Sequence, residues 1–313
     1  MSFKIFFKKS PVLVGFIILL FLLKKADISK IILNLESVRY RFLLPLLIFI
    51  PAGIVLSAFK WSVLLKKQKI EAPFIKLIKF NLIGQFYGMI TPGRLGNLIR
   101  INYLKKYTQK SYGQCSASVF LDKLIDFLIL LILSFLGILF FIQYLPLKFV
   151  YLDIGYLFLL LVVVFFVINQ KLNKKWLRFV YYKLVPHKYK EFLKSIYYSF
   201  YRDFPSHPII FLASLLSLLT WIILITTSYF IIQSINVNIN WFYFAAALII
   251  ASVVSVLPIS ISGWGTREAV LIVLLSPFSV SLEEILAFSV LNFFLLSVVP
   301  GLMGAVWNFF KKV

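Results

Sequence analysis

Apolar runs long enough to cross a lipid bilayer recur along this sequence, and they restrict its fold more than any other feature. A spanning helix needs about 20 mostly apolar residues. The chain is 61% hydrophobic and only 14% charged, whereas soluble domains average about 45–50% apolar and about 25% charged residues. The sequence therefore predicts an all-α, polytopic membrane helical bundle. The candidates for complete crossings are 12–23, 42–60, 117–142, 151–168, 209–232 and 284–310.

Two further apolar segments, 74–104 and 241–275, are each interrupted by a short motif. The motifs are Thr91-Pro92-Gly93-Arg94-Leu95-Gly96 and Ser262-Gly263-Trp264-Gly265-Thr266-Arg267-Glu268. Irregular backbone at membrane depth is tolerated only where protein or a water-filled cavity covers it. A charged side chain at that depth costs at least about 2.5–3.5 kcal/mol and indicates a functional site. One interruption in each half of the chain is typical of a transport site.

The net charge of +22 is high enough to suit a nucleic acid, but the distribution of the basic residues argues against that partner. The lysines and arginines lie in loops between apolar segments, which is typical of the cytoplasmic side of a membrane protein and also suits an anionic lipid surface. We therefore predict that 60–79, 105–110 and 171–202 are cytoplasmic in a cell membrane. Both termini are expected on the same side.

This topology predicts about six complete crossings and two re-entrant hairpins. The segment 74–104 would enter from the cytoplasm, and 241–275 would enter from the opposite face. Opposed hairpins are what an inverted repeat produces, although the similarity between the halves is too faint to prove one. Whether the short segment 12–23 crosses completely stays open. The chain is treated as a single domain, 1–313, with halves at about 1–168 and 208–313 and a basic amphipathic linker at about 169–207.

Arg94 and Arg267 are the first candidates for binding. A guanidinium binds phosphate through two parallel hydrogen bonds and keeps its charge when partly dehydrated. Each arginine follows a glycine break where a half-helix is expected to begin, and a helix N-terminus also favours an anion. We predict an anion site that includes Glu268. The alternative is that Arg267 only pairs with Glu268, and Arg94 with a nearby carboxylate, to hold the hairpins closed. The backbone of the site is expected from Gly93, Gly96, Gly263 and Gly265.

Asp122 and Asp126 lie four residues apart and so share one face of a predicted helix, with Lys123 beside them. Two interpretations stay open, since the aspartates could hold an arginine of a hairpin or carry protons. Arg100 is equally open, because it fits either the anion site or the cytoplasmic lipid head groups. Other polar side chains could line the cavity or form hydrogen bonds between helices: Asn81, Gln85, Tyr87 and Asn97.

Neither a metal nor another cofactor is predicted. The histidines, carboxylates and the single cysteine, Cys115, do not show metal-ligand spacing. The glycines do not form a nucleotide-binding loop, because no strand precedes them and no Lys-Ser/Thr pair follows them. No Ser-His-Asp or Cys-His set is visible, so the sequence does not predict an enzyme.

The ordered motifs resemble the transmembrane, flippase-like region of lysylphosphatidylglycerol synthases and its stand-alone relatives. The resemblance extends over nearly the whole chain. Asn97 stands where the family usually has an acid, and Lys123 stands where it often has arginine. The soluble aminoacyl-transferring domain has no counterpart here, so that activity is not expected. The matching pieces are Phe59-Lys60-Trp61, the first interruption with Arg100, Asp122-Lys123 with Asp126, and Pro258 ahead of the second interruption.

The resemblance implies movement of a lipid or lipid-linked head group between leaflets. We therefore predict a flippase-like transporter for an anionic phospholipid or a polyprenyl-linked lipid, with the head-group phosphate held by Arg94 and Arg267. The alternatives are an integral-membrane enzyme acting on lipid-linked sugars or phosphates, and a non-transporting scaffold for a partner enzyme. Membrane lipids are the expected partners, and a homo-oligomer or a partner membrane enzyme stays open.

Overall fold

A computed structural model describes residues 12–141, 187–202 and 204–310, together with positions 155 and 162. This part of the chain is helical and contains no β-strand beyond one isolated bridge. The α-helices are α1 (Val12–Lys25), α2 (Ile28–Glu36), α3 (Leu46–Lys67), α4 (Phe74–Met89), α5 (Arg100–Thr108), α6 (Tyr112–Phe141), α7 (His187–Arg202), α8 (His207–Ser234), α9 (Trp241–Val256), α10 (Thr266–Leu275), α11 (Leu282–Phe293) and α12 (Val299–Phe310).

Within the described residues, four helical stretches are long and apolar enough to cross a membrane. They contain most of four predicted crossings, whereas the predicted crossing 151–168 lies outside the described residues except at 155 and 162. Helix α1 has 14 residues and is about 21 Å long, which is shorter than the roughly 30 Å hydrocarbon core. The total of six crossings stays a prediction. The four stretches are Tyr40–Lys67, Tyr112–Phe141, His207–Ser234 and Leu282–Phe309.

Helix α3 continues beyond the end predicted for it. The sequence analysis ends this crossing at 60 and assigns Lys60 to a basic cytoplasmic stretch, but the helix runs to Lys67 and buries Lys60 completely among its neighbours. The helix continues because Trp61, Leu64 and Leu65 extend its buried face. Lys60 is predicted both as the last residue of the crossing and as the first residue of the basic stretch 60–79. It lies inside the helix, so the predicted end of the crossing is corrected.

Both interrupted segments fold as two helices that pack against each other around an irregular loop. Helix α4 packs against the 3₁₀ turn Leu95–Ile99, and α9 packs against α10. The first break contains Pro92, which has no N–H to donate, followed by two residues with left-handed backbone, Gly93 (φ +54°) and Arg94 (φ +55°). The helices therefore break at the predicted motifs. The re-entrant topology in a bilayer stays a prediction.

Close helix packing holds the first hairpin against the end of the chain. Helix α12 packs along α4, and a Cβ at Gly304 would lie 2.2 Å from the carbonyl oxygen of Leu82. A glycine is needed there because the two backbones touch. Helices α11 and α12 are joined by a π-helical turn, Phe294–Val298, which is a feature common at functional sites.

The part of the basic linker that the structure describes is α7. It packs against α6, and Phe200 is buried against Phe120, whose ring lies 5.9 Å away between centroids. The amphipathic segment predicted near 176–183 lies outside the described residues. Helix α7 therefore docks on the helical bundle.

Candidate functional site

The two interrupted hairpins contact each other at their breaks. Pro92 and Ile261 form an isolated antiparallel bridge, and the Gly93 N–H donates to the carbonyl oxygen of Ser260 at 3.4 Å. A Cβ at Gly93 would lie 3.0 Å from the carbonyl oxygen of Val256. The positive φ of Gly93 and this close approach both favour glycine.

A hydroxyl group adds a further connection between the breaks. The Ser262 Oγ donates to the carbonyl oxygen of Met89 at 2.8 Å, which is the last residue of α4. Ser262 is buried and has left-handed backbone, with φ +52°. A non-glycine residue in this conformation is uncommon and indicates a local constraint. The two motifs, far apart in the sequence, thus form one structure.

Thr91 organises the loop of the first break. Its Oγ1 accepts a hydrogen bond from the Gly96 N–H at 2.7 Å and donates one to the carbonyl oxygen of Tyr87 at 3.0 Å. A Cβ at Gly96 would lie 2.1 Å from that same carbonyl oxygen. Asn97 packs beside Gly88, and its side-chain amide donates to the Arg94 carbonyl oxygen at 3.1 Å. These contacts fix the backbone of the loop that carries the Arg94 side chain.

Arg94 is the exposed cation at the contact between the hairpins. No ion pair involving Arg94 occurs within the described parts of the chain. The predicted alternative, a nearby carboxylate partner, therefore has no candidate among those residues. Arg267 lies on the second hairpin, and its positive charge adds to the electrostatic field at Arg94.

Arg267, by contrast, is paired with its neighbour. Its Nη2 and Nε donate to Oε1 of Glu268 at 3.0 and 3.2 Å, and both side chains are buried. The other carboxylate oxygen, Oε2, accepts from the Gly265 N–H at 2.6 Å and so caps α10. This is the pairing that the sequence analysis sets against a direct phosphate contact. Glu268 also occupies the helix N-terminus that was expected to face an anion.

The aspartates of α6 form a second charged cluster, away from the breaks in sequence. Lys60 Nζ lies 2.9 Å from Oδ1 of Asp122 and also contacts Asp126. The Arg100 Nη2 donates to Oδ2 of Asp122. Lys60, Arg100 and Asp122 are each at most 2% exposed. Of the two interpretations for the aspartates, this geometry places an arginine of the first hairpin on Asp122.

Side chains from neighbouring helices also contact the charged groups of this cluster. The Arg100 Nη1 donates to Oδ1 of Asn81 at 2.6 Å, and the guanidinium lies 4.6 Å from the ring centroid of Trp61. Ser217 of α8 donates to Asp126 at 2.6 Å. Lys123 Nζ lies 3.1 Å from Asp126, and its side chain is 44% exposed. The cluster joins α3, α4, α5, α6 and α8, and it holds the returning limb of the first hairpin.

Lys60 is the residue whose role the sequence analysis misses. It appears there as the end of a crossing, in a matching motif and at the start of a basic stretch, and no carboxylate partner is assigned to it. The signal was present, because Lys60 follows an apolar run and two aspartates occur in another apolar segment. Unlike charges at membrane depth are expected to pair. The sequence could not show which cation reaches which carboxylate.

Two side chains expected near a cavity form hydrogen bonds between helices. The Gln85 Nε2 donates to the carbonyl oxygen of Leu296 in the π-helical turn at 2.7 Å. The Tyr87 hydroxyl accepts from the Asn308 side-chain amide at 3.2 Å. Both contacts join the first hairpin to the last helices. Their role in lining a cavity stays a prediction.

No group of three or more metal-ligating side chains lies together in the described portion of the chain. Apolar helices of membrane-spanning length, with two interrupted hairpins in contact, define a helical integral-membrane protein. The chain belongs to the family described as the lysylphosphatidylglycerol synthase TM region, which matches residues 10–304. The predicted family is therefore confirmed.

Two relatives are similar to this chain in sequence. UPF0104 membrane protein MJ1595 of Methanocaldococcus jannaschii is 24% identical over 329 aligned positions, covering 97% of this chain and 95% of that protein. UPF0104 membrane protein PH1989 of Pyrococcus horikoshii is 26% identical over 132 residues, covering 41% of this chain and 39% of that protein. Both names state a membrane protein and no activity.

Proposed function

We propose that this protein is a lipid flippase-like transporter in which Arg94 contacts the phosphate of an anionic or polyprenyl-linked lipid. The observation that carries the proposal is an exposed guanidinium, without an ion-pair partner among the described residues, at the contact between two interrupted hairpins. The family name, with its synthase of a modified phospholipid, associates the fold with membrane lipid metabolism. Lipid phosphate is the anion that such a site would meet in a bilayer.

The charge balance at the breaks suits a phosphodiester. Arg94 and Arg267 contribute two positive charges, and Glu268 contributes one negative charge. The sum of +1 is neutralised by one phosphodiester group. Arg94 supplies the direct contact, because its guanidinium is available for paired N–H···O bonds. Arg267 donates its hydrogen bonds to Glu268 and would attract the phosphate only through its positive charge.

The contact between the hairpins is weak enough to open. Among the described residues, the hydrogen bonds between the hairpins are the 3.4 Å backbone bond that forms part of the isolated bridge and one hydroxyl bond. Hydrogen bonds of this kind contribute on the order of 1 kcal/mol each. Separation of the hairpins at the breaks would expose the site alternately to the two leaflets. Arg100, held by Asp122, would keep the returning limb of the first hairpin in place during that movement.

The remaining topology belongs to the same proposal. The chain would act as one domain in a cell membrane, with cytoplasmic termini, and the hairpins 74–104 and 241–275 would enter from opposite faces. The glycines of both breaks would allow the lipid phosphate to approach the backbone. Cytoplasmic location of the basic stretches is supported by their lysine content.

The test measures translocation of fluorescent phosphatidylglycerol in vesicles that contain the purified protein. We expect Arg94→Gln to lower the rate by roughly 10- to 100-fold, since a hydrogen bond to a charged group contributes about 1.5–3 kcal/mol. Arg39→Gln is the matched control, because Arg39 is an exposed arginine outside the breaks. Equal rates for the wild type, Arg94→Gln and Arg39→Gln would refute the assignment of Arg94.

Arg267→Gln is expected to act differently. It leaves Glu268 buried without its cation, so we expect loss of thermal stability in addition to slower translocation. A melting temperature equal to that of the wild type would contradict a stabilising ion pair between Arg267 and Glu268. Analysis of the lipids after incubation tests the enzyme alternative in the same vesicles, since a transporter leaves the head group unchanged.

A further inference from the structure

We propose that a cleft at the turn between α3 and α4 binds the head group of an anionic phospholipid, separately from the Arg94 site. The cleft has a volume of about 450 Å³, within the roughly 300–1,000 Å³ of ordinary ligand pockets. It lies where the membrane-spanning stretch Tyr40–Lys67 ends. A site at the end of a spanning helix is at the depth of lipid head groups.

The floor of the cleft is apolar. Leu65, Ile70 and Leu77 line it and belong to one buried hydrophobic cluster with Phe80. Each of the three lining residues is about 1% exposed. The less buried Ala72, Pro73 and Tyr107 also line the cleft, and their apolar atoms suit the glycerol backbone and first methylene groups of a lipid better than a fully hydrated anion. The occupant is therefore expected to be amphiphilic.

The rim of the cleft is basic. Lys66 lines it and is exposed. Lys76 Nζ lies 5.4 Å from the ring centroid of Tyr107, which also lines the cleft. Across the described residues, neither Lys66 nor Lys76 forms an ion pair. Their charges are thus available to a ligand.

One acid opposes these cations. Glu71 lines the cleft, and no ion pair joins it to a lysine in the part of the chain that the structure covers. The stretch from Leu64 to Lys79 contains Glu71 and five lysines, at 66, 67, 69, 76 and 79. Its formal charge is 5 − 1 = +4. Basic residues near an anionic surface contribute about 1 kcal/mol each, so the stretch attracts a negative head group despite Glu71.

The start of α4 adds donors beside the same cleft. Its N-cap residue is Pro73, which lines the cleft and makes no side-chain capping bond. The first N–H groups of a helix lack intrahelical acceptors, and the helix dipole favours an anion there. A head group in the cleft would contact the start of α4. The other end of α4, at Met89, is the first break, so lipid binding would be connected to the hairpin.

The experiment measures lipid retention directly. The purified wild type is equilibrated with equal amounts of phosphatidylglycerol and phosphatidylcholine, and the bound lipids are counted by native mass spectrometry. We expect a preference for phosphatidylglycerol. The double variant Lys66→Gln/Lys76→Gln should bind it roughly 5- to 30-fold more weakly. The control Lys24→Gln/Lys25→Gln removes the same charge from exposed positions of α1 and should retain the preference.

The sign of the charge effect separates a binding site from a merely structural role. Glu71→Gln should strengthen phosphatidylglycerol retention by about fivefold, because it removes the opposing charge. Weaker retention in Glu71→Gln, or equal losses in the two double variants, would overturn the proposal. If soluble glycerol phosphate displaced bound phosphatidylglycerol as effectively as added lipid does, the occupant would not need to be amphiphilic and that part of the proposal would fail. All of these variants are made in an Arg94→Gln background, so lipid bound at the breaks does not enter the count and the result is independent of the Arg94 proposal.

Discussion

Removal of the Lys60 charge is the most informative perturbation of the charged cluster. In the variant Lys60→Met, the side chain keeps nearly the same length but loses its ammonium. Among the described residues, Asp126 then retains Lys123 and Ser217 as its side-chain partners, and Asp122 retains Arg100 as its close partner. Asp122 is fully buried, so the lost interaction cannot be replaced by water.

The magnitude follows from the distance and the burial. Two unit charges 2.9 Å apart attract by about 6 kcal/mol at an effective dielectric constant of roughly 20. Part of that energy offsets the desolvation of the ammonium, which methionine does not require. Breaking a buried pair by removing one partner costs about 3–5 kcal/mol. We therefore expect Lys60→Met to lower the free energy of unfolding by that amount, or the melting temperature by on the order of 10 °C.

The assay measures the melting temperature of each purified variant in the same detergent. Unfolding is followed by the fluorescence of one dye, which is used for every variant. Lys67→Met is the matched control, because Lys67 lies on the same helix and is exposed, and it should unfold with the wild type. If Lys60→Met unfolds at the temperature of Lys67→Met, the cluster does not stabilise the fold and our reasoning fails.

Three further predictions concern packing. Gly96→Ala should lower the free energy of unfolding by about 1–3 kcal/mol, because its Cβ would lie 2.1 Å from the Tyr87 carbonyl oxygen; an unchanged melting temperature would contradict this contact. Gly265→Ala should loosen α1 and increase its proteolysis, because Gly265 has φ +82° and its Cβ would lie 2.0 Å from the Gly15 carbonyl oxygen; wild-type resistance would oppose it. Cys115 is buried, so maleimide should label it only after denaturation, and rapid labelling of the folded protein would show that the site is open.

Local features of the fold were predictable because they depend on nearby residues. The breaks fall at Pro92 and at glycines with positive φ, Gly93, Gly263 and Gly265, where no regular helix can continue. A lone proline or glycine is not enough to break a helix, since Pro51 and Gly304 lie inside helices. The crossings follow from the length of apolar runs. Helix ends were less predictable, as α3 shows. Lys60 remains inside that helix because its ammonium pairs with Asp122 and Asp126, which come from another helix.

The candidate site was predictable in its residue types and less so in its contacts. Arg94 and Arg267 carry the same motif features, yet one is exposed and the other is paired with Glu268. Glu268 adjoins Arg267 in the sequence, so that pair was foreseen as an alternative. For Arg94, the sequence could not show whether a distant acid would approach. That depends on how the hairpins pack.

The amino-acid sequence by itself determined that this is a helical membrane protein of its family, with two interruptions at known places, because hydropathy and backbone freedom are properties of short segments. Only the tertiary structure decided that Pro92 meets Ile261 and that Lys60 and Arg100 share Asp122. The physical reason is that helix packing selects which buried charged groups pair, because it brings together side chains from segments far apart in the chain.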